Sequence, residues 1–185
     1  MLDETIVSVL ENRESDIKDH LRTLYNLVVD NSFRNVVELG AGQSTFILSA
    51  AVNKTGGHLT SIDNSPDALL RNNSGMESYI PELSGVTSLV KDDLEAAGDI
   101  GNTIDFLFID SDHGYSHVLE TLKIWAPKVR PWGKIALHDT DHDFGHAMGV
   151  LPALEAYLLG VSGMYFVRHI KGGGGLSIIS RNGQV

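Results

Sequence analysis

Residues 35–45, Asn-Val-Val-Glu-Leu-Gly-Ala-Gly-Gln-Ser-Thr, leave few folds open to the chain that carries them. Val36, Val37 and Leu39 form a short apolar run of buried-strand type. Gly40 and Gly42 follow, and without Cβ atoms they allow a tight turn and the close approach of a ligand. Ser44 and Thr45 stand where a helix opens, its first N–H groups unpaired and pointing outward. Such a terminus favours an anionic or strongly polar ligand. Glu38 is the exception in the run. A carboxylate at the end of a buried strand must meet a cation or hydrogen-bond donors to offset its desolvation.

The rest of the chain repeats strand and helix. Thr45–Val52 reads as a helix closed by Gly56-Gly57, then Leu59–Asp63 as a second strand and Ser65-Pro66 as a helix start. Val86–Val90 and Ile104–Ile109 read as strands three and four, Ser116–Trp125 as a helix stopped by Pro127 and Pro131, and Gly133–Leu137 as strand five. A helix over Leu151–Leu159 precedes a closing strand pair, Met164–His169 and Leu176–Ser180. Alternation of this kind means an α/β domain with a mostly parallel sheet. Residues 1–30 form an N-terminal helical extension in which Ile17, Leu21, Leu24 and Leu27/Val28 recur at helical spacing, with Ser15 as a candidate cap. It reads either as a packing helix or as a lid over a cleft.

With 185 residues the whole chain, 1–185, is expected to be one domain. A net charge of −10, from 24 acidic and 14 basic residues without a Lys/Arg cluster, argues against a nucleic-acid partner. Cysteine is absent, which excludes disulfides and thiolate metal sites. There is no basic start followed by an apolar core, and no apolar run nears the ~20 residues of a membrane span. A cytoplasmic protein with no membrane partner is the expectation.

In open α/β sheets, ligands bind beyond the carboxyl ends of the strands. Here those ends carry Glu38, Asp63, Asp92 and Asp93, Asp110, and His138-Asp139. Packing explains such a row of polar residues poorly. Asp63 follows the glycine turn by roughly 20 residues, the spacing at which a neighbouring parallel strand offers a carboxylate to a ribose. A nicotinamide-dependent dehydrogenase would use the same features, but Thr45 fills the place of its third glycine and the first strand ends in Glu38. A cofactor-binding scaffold without catalysis is a third reading.

The ordered set resembles the class I S-adenosylmethionine-dependent methyltransferases, in the small-molecule O-methyltransferase branch with an Asp-x-Asp-His signature. The stretches that carry it are Val37–Gly42, Ser61-Ile62-Asp63, Phe108-Ile109-Asp110-Ser111-Asp112-His113-Gly114-Tyr115 and Trp125–Asp139. The resemblance implies a Rossmann-like, mostly parallel seven-stranded sheet with helices on both faces and an antiparallel last strand. It implies S-adenosyl-L-methionine as cofactor and a hydroxylated small molecule as methyl acceptor, with a second copy of the chain as a candidate partner. Glu38 and the turn Gly40-Ala41-Gly42, with Ser44, would hold the methionine end, its ammonium meeting Glu38. An ion pair of Glu38 with Arg34 is the alternative. Asp63, with Asn64 beside it, would accept from the ribose hydroxyls, or cap the next helix. Asp92, or Asp93, would reach the adenine amino group, and Asp110 would border the same site.

The resemblance also implies metal assistance, with Mg²⁺ or another divalent cation on Asp110, His138 and Asp139. His138 departs from the pattern, standing where metal-dependent relatives have a carboxylate, and imidazole suits Mn²⁺, Fe²⁺ or Zn²⁺ better than Mg²⁺. A different ion, a substitute ligand in Asp141, or a metal-free polar rim all remain open, with Asp112, His142 and His146 nearby in sequence. His113 is the candidate general base, since an imidazole with an ordinary pKa near ~6.5 can take a hydroxyl proton. It can equally be a helix-start residue bonded to Asp110 or Asp139. The run Gly172–Gly175 reads as a mobile loop or a hairpin aid.

Overall fold

A computed structural model describes Ser8 and residues 15–71, 83–141, 149–161 and 163–181. Strands β1 (Asn35–Leu39), β2 (His58–Asp63), β3 (Val86–Val90), β4 (Ile104–Ile109), β5 (Val129–His138), β6 (Tyr165–Ile170) and β7 (Leu176–Arg181) form one sheet in the order β3-β2-β1-β4-β5-β7-β6. β1 to β5 run parallel, β7 is antiparallel to β5, and β6 is antiparallel to β7. The expected seven-stranded, Rossmann-like sheet is therefore present. The reversed strand inserted beside β5 separates it from the six-stranded order of dinucleotide-binding folds.

Each strand's alternation feeds two cores, one per face. Val36, Phe106 and Phe108 pack with α1 (Lys18–Asp30) and α2 (Gln43–Thr55). Val37, Leu39, Leu107 and Ile109 pack with α5 (Tyr115–Trp125) and α6 (Val150–Gly160). Two short helices, α3 (Ala68–Arg71) and α4 (Asp93–Ala96), follow β2 and β3. The same alternation turns Glu38 to the face of Val36, under the first turn of α2.

In the described part of the N-terminal extension the helical periodicity holds: Leu21, Leu24 and Val28 are fully buried in the core on this face of the sheet, while residues 1–7 and 9–14 lie outside the described residues. Ser15 does not cap α1. Its hydroxyl donates to Gln43 Oε1 at 2.9 Å, and Ile17 precedes the helix without a side-chain cap. The lead into α1 is thus fastened to the glycine turn rather than to its own helix. β5 begins earlier than expected, at Val129, because an irregularity in its pairing with β4 accommodates Pro131, which has no N–H to give. The helix expected at Ser65-Pro66 starts at Ala68, after a turn in which Ala68 N–H donates to Ser65 O. Among the described residues, no helix is long and apolar enough to cross a membrane.

If α1 is part of the core rather than a detachable cover, Leu24→Ala should lower the unfolding free energy by about 2–5 kcal/mol in denaturant titration. A loss below about 1 kcal/mol would show that α1 does not contribute to the cooperative unit.

Candidate active site

The parallel strands deliver their C-terminal ends to one edge, and a cavity of about 420 Å³ opens there. Its walls are Gly40, Ala41, Ile62, Asp63, Asn64, Lys91, Asp92, Asp93, Asp110, Ser111, Asp112 and His117. That volume suits a small-molecule site. Of the residues singled out in the sequence, Gly40, Ala41, Asp63, Asn64, Asp92, Asp93, Asp110 and Asp112 line it.

Gly40 serves the packing of the chain itself. Its φ is +93°, and a Cβ there would stand 2.0 Å from the carbonyl oxygen of Asp110. The ends of β1 and β4 can lie this close, with Asp110 N–H donating to Leu39 O at 2.8 Å, because that Cβ is missing. Asp63 fastens the other side of the turn. Its Oδ2 accepts from Ala41 N–H at 3.0 Å and its Oδ1 from Ser65 N–H at 2.8 Å. It closes a turn and does not cap α3.

Glu38, Gly42 and Ser44 are not among the residues that line the cavity. Glu38 is fully buried beneath α2. Its Oε1 accepts from Ser44 Oγ at 2.5 Å, and its Oε2 from Thr45 Oγ1 at 2.7 Å and Ser61 Oγ at 2.6 Å. Ser61 is its register partner on β2. Three hydroxyls meet the carboxylate, and Arg34 is not among its partners. Hydroxyl donors favour the charged form but burial outweighs them, with Asp110 adding repulsion, and the pKa rises from 4.5 to about 7. Gly42 accepts from Thr45 N–H and donates its own N–H to Thr45 Oγ1, closing the start of α2.

Asp92 Oδ1 caps α4, accepting from Leu94 N–H at 2.9 Å. Asp93 is buried between two donors, Ser111 Oγ at 2.6 Å and His117 Nε2 at 2.8 Å. Ser111 and His117 had no signal in the sequence, because the contact joins the ends of β3 and β4 to α5.

Beside the cavity, Asp110, His113 and Asp139 offer one ligand atom each, all within 4.8 Å of one another. His113 Nε2 lies 2.8 Å from Asp139 Oδ2 and 3.8 Å from Asp110 Oδ1, yet it makes no aligned hydrogen bond. His138 Nδ1 lies 3.4 Å from Asp110 Oδ1 and 3.3 Å from Asp139 Oδ2. Donor atoms bonded to one divalent ion at ~2.1 Å stand roughly 3.0–3.4 Å apart, a spacing that the two His138 distances match and that the 3.8 Å from His113 to Asp110 exceeds. Asp141 is not part of it. Asp141 N–H donates to Gly174 O and its Oδ2 accepts from Gly172 N–H, which ties it to the glycine run. His142 and His146 lie outside the described residues. Asp112 accepts from Gly114 N–H in the turn before α5.

The charge balance of this cluster bears on His113, the candidate general base. Asp110 and Asp139 hold its proton against burial, raising its pKa to about 10. Burial opposes a charge on His138 too, but the same carboxylates outweigh it and its pKa also rises to about 10. The imidazoles in turn outweigh burial at Asp139 and Asp110, whose pKa values fall below the usual carboxylate range. With no dication among them, the carboxylates favour the protonated form of both imidazoles.

The run Gly172–Gly175 is a packed turn rather than a mobile loop. All four residues have positive φ, and Gly175 N–H donates to Gly172 O at 2.8 Å. Gly173 O accepts from His138 Nε2 at 2.7 Å, and Gly172 O from His20 Nε2 at 2.7 Å. His20, buried on α1, was not foreseen, since nothing near it in sequence marks it.

With cavity and donor cluster at one edge of this sheet, the class is that of the methyltransferases. The chain belongs to the family described as "Methyltransferase domain", which matches residues 37–140, from β1 to the residue after Asp139. No curated protein matches the sequence. Several solved structures share the fold. TomG from Streptomyces achromogenes, an O-methyltransferase involved in tomaymycin synthesis and solved with S-adenosylmethionine, matches with a TM-score of 0.70 at 16% identity over 98% of this chain and 91% of its own. The O-methyltransferase from Bacillus cereus in complex with S-adenosylhomocysteine has a TM-score of 0.67 at 18% identity over 97% and 90%. The S-adenosylhomocysteine-bound methyltransferase PaMTH1 of Podospora anserina has a TM-score of 0.71 at 13% identity over 96% and 86%. At such identities the likeness is one of fold.

Glu38 should make stability depend on pH. The folded protein holds its proton up to about pH 7 and the unfolded chain releases it near 4.5. Its stabilising contribution is complete below the lower value and is lost as pH rises through the upper one. The gap between the two values corresponds to about 3 kcal/mol. Relative to the parent, Glu38→Gln should therefore gain stability between pH 4.5 and pH 8, read from unfolding curves across that range. Parallel pH profiles for the two proteins would contradict the assignment.

Proposed function

We propose that this protein transfers the methyl group of S-adenosylmethionine to a hydroxyl of a small molecule, assisted by a divalent cation. One observation carries the reading: Asp110 belongs both to the cavity wall and to the donor cluster. A ligand in the cavity and a hydroxyl at the cluster would therefore be neighbours. Alignment of oxygen, methyl carbon and sulfur accounts for most of what such a transfer needs, because a sulfonium is already a good leaving group.

In this reading each acceptor meets a donor of the cofactor. Asp63 spends one lone pair per oxygen on the turn and keeps others for the ribose hydroxyls, with Asn64 beside it. Asp92 uses Oδ1 on its own helix and presents Oδ2 to the adenine amino group. Ile62 and Ala41 supply apolar wall. Glu38 acts at one remove, bracing Ser44 and Thr45 so that the turn Gly40-Ala41-Gly42 keeps its shape around the methionine end. Asp110 and Asp139 would hold the ion, joined by an imidazole nitrogen of this cluster. A bound dication lowers the pKa of a hydroxyl next to it, which supplies the nucleophile. No imidazole base is then required, since the hydroxyl proton can pass to water. The net charge of −10 suits a cationic cofactor and disfavours nucleic acid as acceptor.

Thermal denaturation with ligands tests this. S-adenosylhomocysteine at about 100 times its Kd should stabilise the fold by about 2.7 kcal/mol, and NAD should not. Asp63→Ala should lose the shift while keeping its circular dichroism spectrum. If neither sulfur cofactor moves the melting temperature, the reading fails. In a turnover assay over hydroxylated small molecules, EDTA should cut activity at least about tenfold and a divalent salt should restore it. Activity indifferent to EDTA would remove the cation from the mechanism, and tight cofactor binding without turnover on any acceptor would favour a scaffold.

A further inference from the structure

We infer that His138, held by the glycine turn and braced by His20, makes this cluster select a transition-metal cation such as Mn²⁺, Fe²⁺, Co²⁺ or Zn²⁺ over Mg²⁺. The inference deepens the reading above and rests on it for what the ion does.

The far side of the imidazole fixes its orientation. His138 ends β5 with its side chain 2% exposed, and Nε2 lies 2.7 Å from Gly173 O. A carbonyl oxygen only accepts, so Nε2 carries a hydrogen. The ring cannot turn over without setting a C–H against that carbonyl and leaving a buried acceptor unmet, a cost of about 1–3 kcal/mol. Nδ1 is therefore the atom that faces Asp110 Oδ1 and Asp139 Oδ2. A carbonyl behind a ligating imidazole is the usual way in which proteins fix the tautomer and raise the basicity of that ligand.

The carbonyl is itself held in place. Residues 172–175 take φ values of +86°, +51°, +79° and +86°, a path that side chains other than glycine rarely follow. A Cβ on Gly174 would stand 2.3 Å from Asp139 Oδ1, and one on Gly173 would stand 2.3 Å from Asp16 O. The turn can press against the cluster because its residues have no side chains. His20 completes the arrangement. Its Nε2 donates to Gly172 O, and its ring stands edge-on to His138, centroids 5.5 Å apart at 71°. Two buried imidazoles thus donate to consecutive carbonyls of one turn. His20 is a positioning residue, since it touches His138 and the turn and lies behind them.

The selectivity follows from ligand chemistry. Mg²⁺ takes oxygen donors in near-ideal octahedral geometry and keeps several waters, whereas imidazole nitrogen favours the later divalent ions. The buried nitrogen of His138, set 3.4 and 3.3 Å from the carboxylate oxygens of Asp110 and Asp139, tips the set toward the latter.

Calorimetric titration of the full chain with Mn²⁺, Co²⁺ and Mg²⁺, with and without S-adenosylhomocysteine, tests the inference. Co²⁺ and Mn²⁺ should bind one site at least about 100-fold more tightly than Mg²⁺. In the Co²⁺-loaded protein, proton NMR should show a paramagnetically shifted, slowly exchanging ring N–H from His138 Nε2. His138→Asp should lose that resonance and narrow the Mn²⁺ to Mg²⁺ preference to below about tenfold. His20→Gln, whose amide can still donate to Gly172 O, should keep the resonance. His20→Leu should weaken Co²⁺ binding by about tenfold or more at unchanged circular dichroism. Equal affinity for Mg²⁺, a shifted resonance that survives in His138→Asp, or no divalent binding in a protein that binds S-adenosylhomocysteine would each overturn the inference. Selective Co²⁺ binding with the His138 resonance, in a protein that ignores S-adenosylhomocysteine, would support it and count against methyl transfer.

Discussion

A missing methyl group at Gly40 lets the ends of β1 and β4 touch, and the site is assembled around that contact. Were a Cβ present, it would overlap the carbonyl of Asp110, and the two strand ends would have to separate. The turn after β1 shapes one part of the cavity, and the residue after β4 shapes another while contributing to the donor cluster. Backbone contact between them sets the distance from the ligand cavity to the cluster. A side chain at this point would disturb both together.

Two kinds of polar burial sit on either side of that contact. Glu38 is enclosed by hydroxyls, so its charge is poorly compensated and its proton affinity rises. It is a structural brace, tying β1, β2 and the first turn of α2 through one carboxylate. Asp110 and Asp139 face imidazoles instead, so their charge is well compensated and their proton affinity falls. A group of two acids and two protonated imidazoles is close to neutral. A dication entering it would displace protons that the carboxylates hold in place, so ion binding and proton release are coupled at this edge.

Much of this was legible in the residues. Apolar runs flanked by glycine and proline placed β3 and β4 with their observed bounds, since hydrophobic periodicity and turn chemistry are local signals. The same logic put Asp63, Asp92 and Asp110 at one edge, because parallel strands must end on the same side. It failed where a side chain's neighbours come from elsewhere. Strand alternation turns Glu38 beneath α2, where Ser44, Thr45 and Ser61 meet it. His113, the candidate base, lies beside two carboxylates from different strands. Ser15 looked like a cap and bonds Gln43 instead, and Gly172–Gly175 makes the hairpin turn that was one of its two readings, while its contacts with His20 and His138 were not foreseen.

The order of strands and helices, the edge where ligands gather and the kinds of polar group gathered there were written in the sequence, because each depends on residues close together along the chain. Which of those groups face the cavity, which charge each carries and which atom of His138 faces the carboxylates were decided in three dimensions. Those properties depend on desolvation and on partners such as His20 and Gly173, which lie more than a hundred residues apart and meet only when the sheet closes.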